Sequence, residues 1–161
     1  MKNEKQIKAS NGYVMLLVLL VVIISMVAGF LVTKHSIFLV FAPLILLMVK
    51  GFFTVNPNGS KVMVLFGAYK GTVRDNGFFC TNPFYTRQRI SLRARNFDSE
   101  RVKVNDKIGN PIMINVILVW KVEDTYKSAF DVDNYEEFVR VQTDAAVRKL
   151  AGSYPYDNFD D

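Results

Sequence analysis

The fold is decided first by the uncharged stretch at residues 13–32, YVMLLVLLVVIISMVAGFLV. As an α-helix, a stretch of this length measures about 30 Å, the thickness of the hydrocarbon core of a bilayer. Lys8 and Lys34 flank it, and Ser25 and Gly29 interrupt it without supplying a group that relays protons or ions. The stretch therefore predicts a membrane anchor rather than a channel wall. It excludes a wholly soluble chain.

A second apolar run follows the polar break at residues 33–36 and covers residues 37–53 when Lys50 snorkels to the interface. Pro43 lies inside this run and favours a kink, because proline removes a helical hydrogen bond. The run is thus either a second span or a re-entrant hairpin, and both return the chain to its starting side. A single span, with the second run packed outside the bilayer, is the alternative and would place the domain on the far side.

Lysines cluster at both ends of this membrane segment, with Lys34 alone between them. The clustered lysines are Lys2, Lys5, Lys8, Lys50, Lys61 and Lys70. By the positive-inside rule, this distribution predicts that the N-terminal tail and the soluble part are cytoplasmic, on the inner or plasma membrane. A cleaved signal peptide is the competing interpretation of residues 13–32, but the run exceeds the usual apolar core of about 7–15 residues.

The chain of 161 residues carries a formal charge of +5, and residues 1–50 hold five lysines against one glutamate. The basic excess is therefore mostly membrane-flanking lysine, and nucleic acid is excluded as a partner. Cys80 is the only cysteine and His35 the only histidine, so a disulfide framework and a multi-cysteine metal site are excluded. With neither a phosphate-binding glycine loop nor a nucleophile elbow, the sequence predicts no enzyme and no cofactor.

The residues after the turn-rich junction at 56–59 read as short strands separated by glycine, proline and asparagine. The predicted strands are residues 62–66, 72–73, 78–79, 88–97, 101–104 and 112–122. Residues 112–122 are the longest β-branched run and are expected to form a central strand.

Helical periodicity begins after Glu123, with a short helix at 124–130 and a longer one at 134–151. Asp133 and Glu136 form a capping-box signature for the longer helix, and Gly152 is expected to end it. We expect one apolar face to lie on the sheet: Tyr135, Phe138, Val139, Ala145, Ala146 and Leu150. Strands followed by helices predict an α+β domain of antiparallel strands packed with helices.

Seven residues are candidates for membrane or partner contact rather than catalysis. They are Arg87, Arg89, Arg93, Arg95, Pro43, Phe78 and Phe79. The arginines could meet anionic head groups or an acidic neighbouring subunit, although a solvated strand face explains them as well. Phe78 and Phe79 precede Cys80, which is either a lipidation site near the bilayer or a buried hydrophobe. No catalytic, cofactor-binding or metal-binding residue is predicted.

Five sequence pieces behind the anchor resemble the SPFH or band-seven superfamily, which includes stomatin, prohibitin, flotillin and HflK/HflC. The pieces are GFFCTNPF at 77–84, LR at 92–93, VWKVED at 119–124, AFDVDNY at 129–135 and AVRKLAG at 146–152. The apolar hairpin with Pro43 resembles the stomatin branch. The apolar runs and flanking lysines predict a basic tail at 1–12 and a membrane segment at 13–53, and the resemblance predicts an SPFH domain at 55–161.

This resemblance implies a non-enzymatic membrane scaffold that assembles into homo-oligomers, organises lipid microdomains and regulates membrane proteases or other membrane proteins. Family members continue through further helices into a coiled coil, so we expect a C-terminal truncation at Asp161. The alternative is a membrane-anchored accessory or sensor subunit that binds one dedicated partner without forming rings.

Overall fold

The computed structural model describes residues 4–33 and 42–156, which form two compact units. The N-terminal unit covers Met1–Leu92 and the C-terminal unit covers Arg93–Asp161. Residues 34–36 of the polar break predicted at 33–36, residues 37–41 at the beginning of the second apolar run, and residues 157–161 lie outside the described residues.

The described residues contain four helices: α1 Gly12–Thr33, α2 Ala42–Val49, α3 Thr125–Phe130 and α4 Tyr135–Ala151. In the N-terminal unit the strands are β1 Ser10–Asn11, β2 Phe52–Val55, β3 Gly59–Leu65, β4 Ala68–Val73, β5 Gly77–Cys80 and β6 Tyr85–Ser91. In the C-terminal unit they are β7 Arg95–Asp98, β8 Val102–Asn105, β9 Pro111–Ile114 and β10 Ile117–Trp120. The predicted fold class, an α+β domain behind an N-terminal anchor, is confirmed.

Two three-stranded antiparallel sheets build the N-terminal unit, one in the order β1-β5-β2 and the other in the order β4-β3-β6. The core consists of Phe53, Val55, Met63 and Val73, with smaller or partly exposed neighbours packed against it. Those neighbours are Ile7, Ala9, Phe79 and Tyr85. Because Phe53 and Val55 alternate with outward-facing residues on β2, the period of two selects the face that is buried.

The turns of the N-terminal unit lie at two opposite edges. At one edge, which we call the α2 edge, α2 leads into β2, β3 turns into β4 at Phe66–Gly67, and β5 turns into β6 at residues 81–84. At the other edge, β2 leads into β3 through residues 56–58, and β4 leads into β5 through residues 74–76. This placement follows because every neighbouring pair of strands in both sheets is antiparallel.

Helix α1 is long and apolar enough to cross a membrane, and only a small part of it is covered by other residues. Pro43 is the second described residue of α2. The kink expected at Pro43 would involve residues 39–41 on its N-terminal side, and these lie outside the described residues. The predicted extension of the second run to residue 53 is corrected, since the chain turns at Lys50 and Gly51 and enters β2 at Phe52.

The C-terminal unit contains two separate antiparallel pairs, β7 with β10 and β8 with β9. The prediction of a single central strand at 112–122 is wrong, because residues 115–116 separate β9 from β10. There the Ser99 hydroxyl accepts a hydrogen bond from the Val116 N–H (2.8 Å) and the Ser99 N–H donates to the Val116 carbonyl (2.9 Å). The strand expected at 88–97 is likewise divided, into β6 and β7, at the boundary between the units.

Side-chain caps start both helices of the C-terminal unit. Asp124 accepts a hydrogen bond from the Lys127 N–H before α3, and the Asn134 side chain accepts from Glu136 and Glu137 before α4. Asn134 is thus the N-cap in place of the expected Asp133. After α4, Gly152 is the C-cap in a right-handed conformation.

The face of α4 that is least exposed differs from the predicted one. It follows a four-residue spacing: Tyr135, Val139, Thr143, Val147 and Ala151. Phe138 and Leu150, which were expected to lie on the sheet, are exposed instead. The predicted packing of α4 is therefore corrected, and part of its apolar surface is left uncovered among the described residues.

Candidate functional site

Residues 12–51, which contain α1 and α2, are called the helical segment. Strand β5 pairs with the strands on both sides of this segment. Ser10 and Asn11 of β1 pair with Cys80 and Phe79, immediately before α1 begins. On the other side of β5, strand β2 pairs through Phe52 with the same Cys80. Residues 12–51 therefore leave from and return to neighbouring positions in one sheet.

The segment at residues 4–9 runs beside β4 and is part of the N-terminal unit. The Ile7 N–H donates to the Thr72 carbonyl (3.1 Å) and the Thr72 N–H donates to the Lys5 carbonyl (2.8 Å). Arg74 forms a bidentate ion pair with Glu4: its Nε donates to Oε1 (2.8 Å) and its Nη2 donates to Oε2 (2.7 Å). The segment predicted as a basic tail at 1–12 thus contains, from residue 4 onward, residues built into the sheet.

Gly71 allows this segment to approach β4. Its φ of +152° lies in a region that side chains rarely adopt, and an added Cβ would meet the Ile7 Cγ2 atom at 2.5 Å and the Lys5 carbonyl oxygen at 2.8 Å. Ile7 and Ala9 then reach the core of the unit. A glycine at position 71 is therefore required by the docked N-terminal segment as well as by its own backbone.

The Arg87 side chain caps the backbone carbonyls that directly follow α2. Its guanidinium donates hydrogen bonds to the carbonyls of Lys50 (2.9 Å), Gly51 (3.0 Å) and Phe52 (3.2 Å). The same group lies 4.8 Å from the centroid of the Phe53 ring. A cation at this position satisfies carbonyls that have no helical partner and opposes the negative end of the helix dipole. Arg87 is consequently a positioning residue that fixes α2 to the sheet.

Gly51 is tightly enclosed where α2 meets the sheet. A Cβ at this position would lie 2.6 Å from the Thr81 carbonyl oxygen and 3.2 Å from the Cys80 Sγ atom. The Thr81 N–H donates to the Gly51 carbonyl at 3.0 Å. Burial raises the pKa of the Cys80 thiol, so this cysteine is packed as a protonated hydrophobe.

Phe78 and Phe79 point to opposite faces of β5, and both are half-buried. Phe78 stacks on Phe52 at 5.5 Å and meets the edge of Tyr13 at 5.4 Å, at the beginning of α1. Phe79 packs on Phe53 at 6.0 Å, toward the core. Phe78 is therefore the residue of this pair that touches the helical segment.

Lys61 and Arg89 are directly opposite each other on β3 and β6, and Arg87 lies two residues further along the same face. Burial, together with the charges of Arg87 and Arg89, lowers the pKa of Lys61. Thr54, Asn56 and Ser60 complete a small cleft of about 140 Å³ beside Lys61 and Arg89. This cleft is cationic, and among the described residues of the N-terminal unit only Glu4 and Asp75 carry carboxylates.

The structure does not bring the four predicted arginines together on one strand. Arg87 and Arg89 belong to β6, whereas Arg95 begins β7 in the other unit and Arg93 is exposed before it. Arg95 contacts the Glu136 carboxylate, which is the largest cause of the raised pKa of the arginine. Its guanidinium also lies 5.7 Å from the Trp120 ring and 5.6 Å from the Tyr135 ring.

An open apolar groove of about 340 Å³ lies in the C-terminal unit. Trp120 and Val122 form one side, and Tyr135, Phe138 and Val139 of α4 form the other. Aromatic side chains exposed in a groove are typical of protein contact surfaces. Sequence periodicity marked Phe138 as apolar but assigned it to the core.

A metal centre of at least three histidine, cysteine, aspartate or glutamate side chains is not found within residues 4–33 and 42–156. The side chains described above are mainly cationic and aromatic, with small polar residues in the cleft and aliphatic ones in the groove. They suit positioning of helices and contact with lipid or protein.

Comparison with protein-family models gives a match to one family over residues 53–161, described as SPFH domain / Band 7 family. The match covers β2 to β10 as well as α3 and α4, and it begins where α2 has returned the chain to the sheet. A comparison with curated proteins gave no match.

Proposed function

This chain belongs to the SPFH domain / Band 7 family, and on that premise we propose that it is a membrane-anchored scaffold that oligomerises at the bilayer. In this role it organises lipid microdomains or regulates membrane proteases and other membrane proteins. The family consists generally of membrane-associated, non-enzymatic scaffolds. The apolar helix α1 is in keeping with that association.

The observation that carries the proposal is that residues 4–11 and β2 both pair with strands of one unit, on either side of the helical segment. An unbroken unit of this kind lies on one side of a bilayer. Residues 12–51 then enter and leave the membrane on the same face, as a hairpin rather than a single span. With the lysine distribution, this supports a cytoplasmic position for the SPFH domain.

Reporter cysteines test the hairpin. Lys8→Cys and Asn58→Cys, each made together with Cys80→Ser, place exposed thiols in the N-terminal segment and beyond β2. Both thiols should be protected from an impermeant reagent in intact cells and should react after lysis. If one of them reacts in intact cells while the other is protected, the hairpin is wrong.

Charge supports the proposed contact between copies. The N-terminal unit has ten Lys and Arg against two Asp and Glu, a formal charge of +8, and the C-terminal unit has ten against thirteen, a charge of −3. We propose that the basic unit of one copy faces the acidic unit of the next, with the exposed Arg89 among the contacting residues. The uncovered aromatic groove adds an apolar surface for such contacts.

Particle mass in mild detergent tests assembly. The parent protein should give a large homo-oligomer, and Arg89→Glu should reduce its mass or make it sensitive to salt. Arg101→Glu is a matched reversal of an exposed arginine in the acidic unit and should leave the mass unchanged. A parent particle of a single copy would favour the accessory-subunit alternative. Equal behaviour of the two variants would exclude Arg89 from the contact.

A further inference from the structure

We infer that the cleft beside Lys61 and Arg89 is a binding site for a small soluble phosphate group, carried by free phosphate or by a phosphate monoester. Thr54, Asn56 and Ser60 line the cleft together with the two cations. All of these residues belong to the N-terminal unit. The inference adds a ligand site to the scaffold proposed above, and it does not depend on assembly of that scaffold.

The two cations of the cleft have no compensating negative charge. Lys61 lies opposite Arg89 in the β3–β6 ladder, and burial together with the charges of Arg87 and Arg89 lowers the pKa of Lys61. Neither Lys61 nor Arg89 forms an ion pair within residues 4–33 and 42–156. Like charges held directly opposite each other destabilise a sheet. An anion bound between them would remove this unfavourable interaction.

The carboxylates of the N-terminal unit do not supply that anion. Glu4 is paired with Arg74. Asp75 is exposed in the turn after β4 and does not line the cleft. The sequence of this unit contains no other aspartate or glutamate. The negative charge that would balance the cleft must therefore come from outside the unit.

Arg87 adds a third positive charge on the same face of the sheet. Its hydrogen bonds go to three neutral backbone carbonyls, which do not cancel its charge. Its Nε atom is buried and has no hydrogen-bond partner among the described residues. The Lys61 Nζ atom and the Arg87 guanidinium lie 5.0 and 4.8 Å from the centroid of the Phe53 ring. A ligand in the cleft therefore meets the combined field of three cations.

The size and the donors of the cleft fit a phosphate group. Its volume of about 140 Å³ equals that of about five water molecules at roughly 30 Å³ each, and a phosphate group has five heavy atoms. The Ser60 hydroxyl already donates to the Ile90 carbonyl (3.0 Å), so the exposed Thr54 and Asn56 side chains are the neutral donors at hand. A phosphate monoester carries a charge of about −1.5 to −2 at pH 7 and three strong acceptor oxygens. A single carboxylate has less charge and would leave donors unused.

The position of the cleft favours a soluble ligand over a lipid head group. Asn56 follows β2 and Gly59 begins β3, so the cleft lies toward the edge opposite the α2 edge. Asn56 is four residues beyond Phe52, where the chain enters the sheet after α2, and this corresponds to about 13 Å along the strand. The cleft is thus directed away from the end of the helical segment.

Thermal unfolding of the full chain in detergent tests the site, with inorganic phosphate as the probe. Phosphate should raise the unfolding temperature of the parent in a saturable manner, beyond any effect of chloride at the same ionic strength. Lys61→Met removes a charge while keeping an apolar stem on Phe53, and Arg89→Gln removes an exposed charge. Each variant should weaken the apparent phosphate affinity about tenfold or more. Lys70→Met, which changes an exposed lysine of β4, is the matched control and should leave the affinity unchanged.

Two outcomes of this titration would overturn the inference. Equal stabilisation by chloride and phosphate would show general screening of the basic unit rather than a site. Phosphate stabilisation that both Lys61→Met and Arg89→Gln leave unchanged would place the ion elsewhere. Because Arg89 is exposed, Arg89→Gln keeps the test decisive even if Lys61→Met lowers the stability of the protein.

A lipid arm distinguishes a soluble phosphate from a head group. Binding of radiolabelled phosphate is measured for the full chain in vesicles that contain phosphatidic acid, whose head group is a phosphate monoester. Vesicles of matched surface charge that contain phosphatidylglycerol, a phosphate diester, are the control. Equal binding in the two kinds of vesicle is expected. Loss of phosphate binding with phosphatidic acid alone would show that a lipid occupies the cleft, and this would overturn the assignment to a soluble ligand.

Discussion

The two units of this chain differ in how completely each buries its own apolar residues. Six of the seven largest fully buried side chains belong to the N-terminal unit, and only Thr125 belongs to the C-terminal unit. Phe138, by contrast, is half exposed on α4. The N-terminal unit therefore has the better formed core, while the C-terminal unit keeps aromatic surface uncovered. The contrast teaches that the family match at residues 53–161 spans two parts that differ in kind: one has a buried core, and the other exposes an aromatic groove.

The strongest test of this contrast replaces one methionine in each unit. Met63 is 0% exposed in the N-terminal core, so Met63→Ala should lower the free energy of unfolding by about 2–5 kcal/mol. Met113 is 61% exposed in the C-terminal unit, and Met113→Ala should change it by less than about 0.5 kcal/mol. Denaturant unfolding in detergent measures both values. Similar values for the two variants would contradict the difference in core formation.

A second test compares two arginines of the same strand. Arg87→Ala removes the hydrogen bonds from its guanidinium to the Lys50, Gly51 and Phe52 carbonyls and should lower stability by about 1–3 kcal/mol. Arg89→Ala removes an exposed side chain and should have an effect within about 0.5 kcal/mol. Thermal unfolding in detergent provides the measurement. A larger effect at Arg89 would mean that the positioning role of Arg87 is wrong.

A third test concerns the docked N-terminal segment. Gly71→Ala should displace Ile7 and Lys5 from β4 at a cost of about 1–3 kcal/mol, because both the contact and the positive φ oppose a side chain. Gly67→Ala, with φ of +82° and no atom within 4 Å of the added Cβ, is the control for the backbone alone. Hydrogen exchange at the Ile7 amide should accelerate in the first variant only. Acceleration in both would assign the effect to β4 in general.

The smallest effect is expected on the pH dependence of stability, and it concerns Asp106 in the C-terminal unit. Burial alone would raise the pKa of Asp106, but hydrogen bonds from the Asn110, Tyr156 and Ile108 amides and the Asn110 side chain outweigh it and lower that pKa. A lowered carboxyl pKa contributes stability above the ordinary value of about 4, and this contribution is lost as pH falls further. Asp106→Asn should therefore flatten the pH dependence of unfolding below about pH 4. An unchanged pH profile would remove Asp106 from the acid response.

Local patterns allowed much of the fold to be predicted from the sequence. The apolar stretch at 13–32 predicted α1, and the change from β-branched residues to helical spacing predicted α3 and α4. The interruption at residues 115–116 could not be predicted, because it depends on Ser99, which is distant in sequence. The exposed face of α4 was misassigned because helical spacing identifies apolar residues without showing what covers them.

The candidate site was less predictable, because its contacts join residues far apart in the chain. Ile7 and Ala9 have the spacing of a strand, but two residues are too few to reveal pairing with β4 and β5. Arg87 was identified as a contact candidate, yet its bonds to the carbonyls after α2 follow only from the strand register.

The ion pair between Glu4 and Arg74 joins residues 70 positions apart, and this separation has a consequence for biogenesis. At synthesis rates of about 5–20 residues per second, residues 4–9 wait roughly 3.5–14 s before their partners on β4 leave the ribosome. Residues 12–51 are synthesised during that interval, so in the proposed hairpin topology they can insert before the sheet closes around β5. That topology would therefore order insertion and folding in time. A cell that carried the N-terminus across the membrane in those seconds would prevent the sheet from ever being completed.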